Sequence, residues 1–389
     1  MYTKYKKLRM EVNVMVGYYI HCELIRKGVY YAGVDKKIKQ QMKEFSKIAI
    51  MNDITLKSKS YPILKRLPGR SRLYYWENVC NEIKEQPDFI YIRKEIFDQG
   101  VIDFFSFIKK KFPTCKILIE IPTYPYDGEL LSKKINLSLY LKDRSTRKKF
   151  KDYVEKIVTY SDDLTIFGIN TIIIQNGVDV SNFPVIIPRK KDEEIHLLAV
   201  AALQSYHGYE RIIEGIRQYY INGGKRTIKF YIVGQGDAQA KLKDMVNNYD
   251  LADNVIFFGT KTGDELTEIF NQADIGMGSF GFYKIGLDKA SSLKTREYLA
   301  RGLPVVSGCR QDIFEIAPCD YHLEFSNDNS PVDIQKIIEF YDKLFTKYQK
   351  MDVFSKIREY AEENVIMEKA FAPVIEYLKT QIDIESKGI

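Results

Sequence analysis

Short runs rich in Ile, Val, Phe and Tyr alternate with amphipathic stretches along almost the whole chain, and they do so in two arrays. Alternation of this kind builds parallel sheets flanked by helices, because each strand must return to the same sheet edge through a crossover. In the first array the spacing predicts strands over Val12–Val16, Ile48–Met51, Phe89–Ile92, Lys116–Ile119, Ile157–Thr159 and Thr171–Ile174. Helices are expected at Asp35–Phe45 and Val101–Lys111. In the second array the strands are expected at His196–Ala201, Lys229–Val233, Val255–Phe258, Ile275–Gly278, Val305–Ser307 and His322–Glu324. Its helices are expected at Tyr209–Tyr220, Ala238–Asn248, Asp264–Asn271, Leu293–Arg301, Val332–Lys347 and Val353–Glu363.

Between the arrays lie an Asn176-Gly177 turn, Pro184, Pro188 and the charged run Arg189-Lys190-Lys191-Asp192, all turn and linker chemistry. The boundary is placed near residue 188. This gives an N-terminal domain of residues 1–188 and a C-terminal domain of residues 189–366. A last helix within 367–389 has no strand after it and is a candidate to pack back on the first domain. The expected fold class is α/β, with two doubly wound domains facing each other across a cleft. Ligands in such sheets bind beyond the carboxyl ends of the strands.

The charge divides along the same line: residues 1–188 carry a net +12 and residues 189–389 a net −5. A basic half suits nucleic acid, an anionic membrane or a phosphorylated substrate. No apolar run approaches the roughly 18 residues of a membrane-spanning helix. The basic start Met1–Lys7 is followed by no apolar core, so a signal peptide is not expected. The five cysteines form no CxxC pair and are expected as buried free thiols in a reducing cytoplasm. The four histidines show no i,i+4 pairing, so no metal site is expected.

The segment most informative for chemistry is Ala290-Ser291-Ser292-Leu293-Lys294-Thr295-Arg296-Glu297, running on to Gly302-Leu303-Pro304-Val305-Val306. Small residues open a helix, a carboxylate lies within its first turns, and Gly-x-Pro-Val-Val leads into a buried strand. Free amides at a helix start, with the positive end of the dipole, make a phosphate site. Ser292, Leu293 and Lys294 supply those donors and one full charge. Glu297 stands about a turn further on, where a carboxylate can accept ribose hydroxyls.

This segment resembles the donor-site motif of retaining glycosyltransferases of family 4, which have the GT-B fold. Glu297 matches the second Glu of that motif, and the first falls on Lys289, with Asp288 adjacent. Val200 to Gly208 is similar to the family's V-G-R-L-x3-K-G segment, with Ala202 and His207 in the usual Arg and Lys places. The resemblance implies that a leaving diphosphate is neutralised by Lys294, His207 and Arg211. Gly234 and Gly236 resemble the family's short turn beside the nucleotide, and Thr260 lies in the loop that reads the base. Gly33, before a helix with Lys36, Lys37 and Lys39, resembles its glycine loop near the donor phosphates.

Glu120-Ile121-Pro122-Thr123-Tyr124-Pro125-Tyr126-Asp127 resembles a bacterial subgroup that builds surface polysaccharides. Arg93, Tyr124 and Tyr126 are the expected acceptor contacts. Asp127, Lys289 and Glu297 are the candidate catalytic residues. Two basic segments, Lys57–Trp76 and Lys142–Lys151, suit an anionic lipid surface. No nucleic-acid motif accompanies them, so nucleic acid is not an expected partner.

The resemblance implies transfer of a sugar, with retention, from a nucleotide diphosphate sugar to a lipid-linked or growing glycan acceptor. A UDP-sugar is favoured over a GDP-sugar. No Asp-x-Asp motif occurs, so neither a divalent metal nor another cofactor is expected. The expected location is cytoplasmic, peripheral on the cytoplasmic face of the membrane. A GT-B sugar-nucleotide epimerase and an inactive nucleotide-binding scaffold remain open alternatives.

Overall fold

Seven strands build the sheet of the first unit: β1 (Met15–Cys22), β2 (Ala49–Leu56), β3 (Phe89–Arg93), β4 (Lys116–Ile121), β5 (Lys156–Thr159), β6 (Thr165–Ile166) and β7 (Ile169–Ile173). They lie in the order β2-β1-β3-β4-β5-β7-β6, parallel except for the β6–β7 hairpin. The strand order reverses between β1 and β3, the place where doubly wound sheets open a crevice. The computed structural model describes residues 14–26, 29–30, 32–59, 73–128, 137–189, 194–347 and 349–386.

The second unit has six parallel strands: β8 (Ile195–Val200), β9 (Ile228–Val233), β10 (Val255–Gly259), β11 (Ile275–Met277), β12 (Val305–Ser307) and β13 (His322–Glu324). Their order is β10-β9-β8-β11-β12-β13, the Rossmann arrangement, with its reversal between β8 and β11. Central strands of both sheets are continuous apolar runs because helices cover both faces. The helices used below are α1 (Ala32–Phe45), α2 (Leu137–Arg147), α3 (Glu210–Ile221), α4 (Leu293–Ala300) and α5 (Met367–Ser386).

The first unit comprises Met1–Ile174 with Ala370–Ile389, and the second Gln175–Lys369. The division thus falls before the proline-rich linker rather than near residue 188. Val178 donates its amide to Val365 O at 2.9 Å, and Ile186 donates to Arg301 O at 3.0 Å. Those bonds make residues 176–188 an edge of the second unit. The expected strand Val12–Val16 lies partly outside the described residues, and the strand found is Met15–Cys22, buried over all eight positions.

The chain returns to the first unit through α5. Phe371, Val374 and Leu378 recur at helical spacing and are all buried. The Phe371 ring meets Phe45 of α1 at 5.0 Å and Tyr91 of β3 at 5.9 Å, both edge-on. Among the described residues no helix is long and apolar enough to cross a membrane. All five cysteines are free.

Because Phe371 has no exposure and fills a pocket of aromatic rings, Phe371→Ala is expected to cost about 3–5 kcal/mol. Urea unfolding followed by far-ultraviolet circular dichroism measures it. A cost below about 1 kcal/mol would mean that α5 is not an integral part of this core.

Candidate functional site

In the second unit the chemistry-bearing segments gather at the carboxyl ends of β8, β9 and β11. The loop after β8 is zipped to the turn after β9: Ala201 donates to Val233 O at 3.0 Å and Leu203 to Gln235 O at 2.9 Å. That closeness explains Gly234 and Gly236. A Cβ on Gly234 would stand 1.9 Å from Ala201 O, and Gly234 has φ +120° besides. A Cβ on Gly236 would meet Leu203 O at 2.3 Å. Thr260 follows β10 and is exposed.

α4 begins at Ser292, whose extended backbone caps the helix without a side-chain bond to it. The helix start is fixed from several sides. Arg296, with no exposure, donates from Nε to Asn176 O at 2.9 Å and from its second terminal nitrogen to the Asp312 carboxylate. Thr295 Oγ1 donates to Gln311 Oε1 at 3.0 Å. Asn176 donates its amide to Ser291 Oγ at 2.8 Å. Tyr298 accepts from Val200 N at 2.9 Å, tying the helix to the end of β8.

Lys294 reaches back over this junction. Its Nζ donates to Tyr209 OH at 3.1 Å and to Ser279 Oγ at 3.3 Å. Desolvation pulls its ammonium down to about 7. Glu297, one turn on, accepts from Arg301 Nε at 3.3 Å. Arg301 is buried, packs over the Phe270 ring at 4.1 Å, and leaves one terminal nitrogen buried without a protein partner. The pair turns Glu297 toward a fixed side of the helix.

Two expected cations are not cations at a ligand site. His207 is buried beside Lys294, and both effects press its ring value down to about 2, so it is neutral. Its Nδ1 accepts from Gln204 N at 3.1 Å, which leaves the proton on Nε2. Arg211, on α3, is 3% exposed and bonds Ser330 O, Phe280 O and Ser326 O at 2.6, 2.6 and 3.0 Å. It braces loops instead of facing a ligand. Lys289 pairs with Glu315 at 2.6 Å, and Asp288 pairs with Arg310 at 2.7 Å.

In the first unit the reversal between β1 and β3 opens a cavity of about 170 Å³ lined by His21, Val34, Ile38, Arg93, Glu95 and Pro122, among others. Behind it stands Glu120, wholly buried in β4. Lys37 Nζ at 3.1 Å, Gln41 Nε2 at 3.0 Å, and the hydroxyls of Tyr91 and Tyr160 at 2.9 Å each donate to its carboxylate. Arg93 donates as well. Burial alone would raise this carboxyl, but Lys37 and Arg93 outweigh it and hold it at about 2. Burial works against the His21 imidazolium too, yet the Asp53 carboxylate at 3.2 Å and the Cys22 carbonyl at 2.8 Å raise it above its ordinary value.

Asp127 is engaged rather than open. Arg147 grips it with two nitrogens at 2.6 and 2.9 Å, and that bond holds its carboxyl below the usual range. Tyr126 OH donates to the buried Asp143 at 2.6 Å, and Lys94 pairs with the same carboxylate at 3.0 Å. Tyr124 packs edge-on against Phe167 at 5.9 Å. Sequence reasoning missed Arg147, Asp143 and Lys94. The signal is faint, since Lys142–Lys151 reads in the sequence only as a basic segment.

Gly33 does not form a loop: α1 already runs through it, and nothing stands within 4 Å of a Cβ there. Lys36 is exposed while Lys37 turns inward. In the basic segments, residues 60–72 lie outside the described residues, and Lys142 is buried at 6% exposure. Among the described residues no cluster of His, Cys, Asp or Glu is fit to hold a metal.

Comparison with known proteins bears on both units. The family model described as "Glycosyl transferases group 1" matches residues 185–315. The amylovoran biosynthesis glycosyltransferase AmsK of Erwinia amylovora is 29% identical over 140 residues, which are 36% of this chain and 34% of that one. The match therefore spans about a third of that relative's length. A glycosyltransferase from Rickettsia africae ESF-5 superposes with a TM-score of 0.61 at 15% identity, over 95% of this chain and 98% of the other. Anabaena HepE in complex with UDP-glucose gives a TM-score of 0.61 at 13% identity, over 93% and 99%. The fold is GT-B, with two Rossmann-like domains. Residues 185–315 thus resemble the group 1 glycosyl transferases, and the solved structures show the fold.

The depressed Glu120 value has a consequence for acid stability. Its contribution is present above the ordinary value of 4.5 and is lost as pH falls toward about 2. Glu120→Gln leaves Lys37 and Arg93 without their anion and is expected to cost about 3–5 kcal/mol at neutral pH. The variant should also lack part of the wild-type decline between pH 5 and pH 2. Thermal unfolding across that range measures both, and an unchanged profile would contradict the assignment.

Proposed function

We propose that this chain transfers a sugar from a nucleotide diphosphate sugar, a UDP-sugar first among them, to a lipid-linked or growing glycan acceptor in surface-polysaccharide synthesis. The observation that carries the reading is the start of α4. First-turn amides and Lys294 converge at the switch point of the second sheet, where an anion is stabilised by dipole and charge together. The group 1 match over residues 185–315 covers this same segment.

In this reading Ser292, Leu293 and Lys294 hold the diphosphate and Glu297 accepts the ribose hydroxyls. Gly234 and Gly236 let the backbone approach the nucleotide, and Thr260 stands near the base. His207, neutral, donates from Nε2 to a phosphate or sugar oxygen. Transfer breaks the bond between the anomeric carbon and the phosphate oxygen, and the electron pair leaves with the diphosphate. The acceptor hydroxyl attacks the same face, which retains configuration, and its proton passes to the departing oxygen. Fixed positive groups stabilise the charge on that oxygen without reorganisation.

The acceptor is assigned to the cavity of the first unit. Arg93 and Glu95 offer a donor and an acceptor for hydroxyls, while Val34, Ile38 and Pro122 offer an apolar wall for a sugar ring. Tyr124, Tyr126 and Asp127 shape the loop beside it, with Arg147 positioning Asp127. The protein is assigned to the cytoplasmic face of the membrane, peripherally. A second reading, a nucleotide-binding scaffold without turnover, draws on the Lys289–Glu315 pair. Nucleotide binding with no release of UDP from any of a panel of nucleotide sugars would favour it.

Two outcomes test the donor site. Glu297→Ala should weaken UDP binding at least about tenfold, as loss of a charge-assisted bond implies, and abolish transfer to acceptors in a membrane lipid extract. Normal activity in that variant would exclude the assignment. Lys294 near 7 in the free protein must gain its proton beside a diphosphate. UDP binding should therefore take up a proton above pH 7, and affinity should fall by up to about tenfold per pH unit there. Calorimetry in buffers of different ionisation enthalpy reads that proton. Lys294→Arg should abolish the uptake, and uptake unchanged in this variant would place the proton elsewhere.

A further inference from the structure

α2 carries its polarity the wrong way round. Its inward face holds Lys142, Asp143 and Thr146, at 6%, 0% and 3% exposure. Its outward face holds Leu137 and Leu141, each 53% exposed, and then Arg144. Positions 137, 141 and 144 fall at i, i+4 and i+7 and so share one stripe. Lys148, at i+11 and just past the helix end, continues it and is exposed. A helix lying on a globular core ordinarily does the reverse.

The inward polarity has an explanation, because Asp143 is satisfied by Lys94, Tyr126 and the Phe97 amide. The outward leucines have none among the described residues of the unit. Their charge surroundings narrow what covers them. Over residues 137–152 the exposed charged side chains are Arg144, Lys148, Lys149, Lys151 and Asp152, four cations against one acid. Apolar side chains followed by cations along one stripe match the depth profile of an anionic bilayer surface, acyl boundary first and phosphate layer above it.

We propose that α2 is an interfacial helix: Leu137 and Leu141 enter the acyl boundary while Arg144, Lys148, Lys149 and Lys151 remain among anionic headgroups. The proposal rests on the peripheral placement given above and is independent of the transfer chemistry. It differs from simple adhesion of a basic face, which salt would abolish. Insertion of two leucines leaves a part of the binding that salt does not remove.

The test is co-sedimentation of the full chain with phosphatidylcholine vesicles, with and without about one-third phosphatidylglycerol, at low and high salt. Binding should require phosphatidylglycerol and should weaken in salt without vanishing. The double variant Leu137→Ser, Leu141→Ser should lower partitioning about tenfold or more, with unchanged circular dichroism and thermal unfolding. Arg144→Glu should weaken binding at low salt. Leu164→Ser, at a 76% exposed leucine elsewhere in the same unit, should bind as the wild type does. UDP affinity of the double variant should be unchanged, which separates failure here from failure of the donor-site reading. Wild type that ignores phosphatidylglycerol, or a double variant that binds like wild type, would overturn the proposal. So would a concentration-dependent dimer lost in the double variant, because a second copy would then be what covers the stripe.

Discussion

A guanidinium with no exposure at all, that of Arg296, holds the start of α4 in place. A buried charge must be paired and hydrogen-bonded or it destabilises the fold. Arg296 meets that demand by gripping the Asn176 carbonyl and the Asp312 carboxylate, two segments far apart in sequence. The first turn of α4 is thereby anchored through side chains, and Tyr298 pins the next turn to the end of β8. The helix start is held at the switch point of the sheet for that reason, and a helix start in such a place suits an anion.

A few charges of the first unit are turned inward and paired. Lys37 and Arg93 converge on Glu120, while Lys94 and Arg147 converge on Asp143. Networks of this kind fix side-chain geometry at the carboxyl ends of the strands, where a half-satisfied one would be costly. What does reach the surface near α2 is a smaller cluster beside exposed leucines. In the acidic second unit the desolvated Lys294 and a helix start stand against the background charge.

Much of the architecture was legible because its strands are unbroken aliphatic runs. Val305–Ser307 and His322–Glu324 are found where the pattern puts them, and Phe89–Ile92 and Lys229–Val233 differ by one residue at an end. β1 was misplaced because Tyr18, Tyr19 and His21 mix polar atoms into a strand that is wholly buried. Tyr19 is tolerated there only because its hydroxyl finds Gln41 at 2.6 Å. Lys142–Lys151 reads only as a basic segment, because periodicity cannot reveal that Lys142 and Asp143 face inward. The donor segment was legible as a helix start, since small residues, Lys294 and Glu297 carry that signal locally. The neutral state of His207 and the bracing role of Arg211 were not, because burial decides both and burial is a property of the assembled fold.

The central claim is that the start of α4 holds the diphosphate of a nucleotide. Amide hydrogen exchange of the full chain, with and without saturating UDP, tests it most directly. Exchange should slow at residues 292–296 and in the turn at 234–237, with little change in α5. Protection confined to other segments, or none at all under conditions where UDP is bound, would contradict the account.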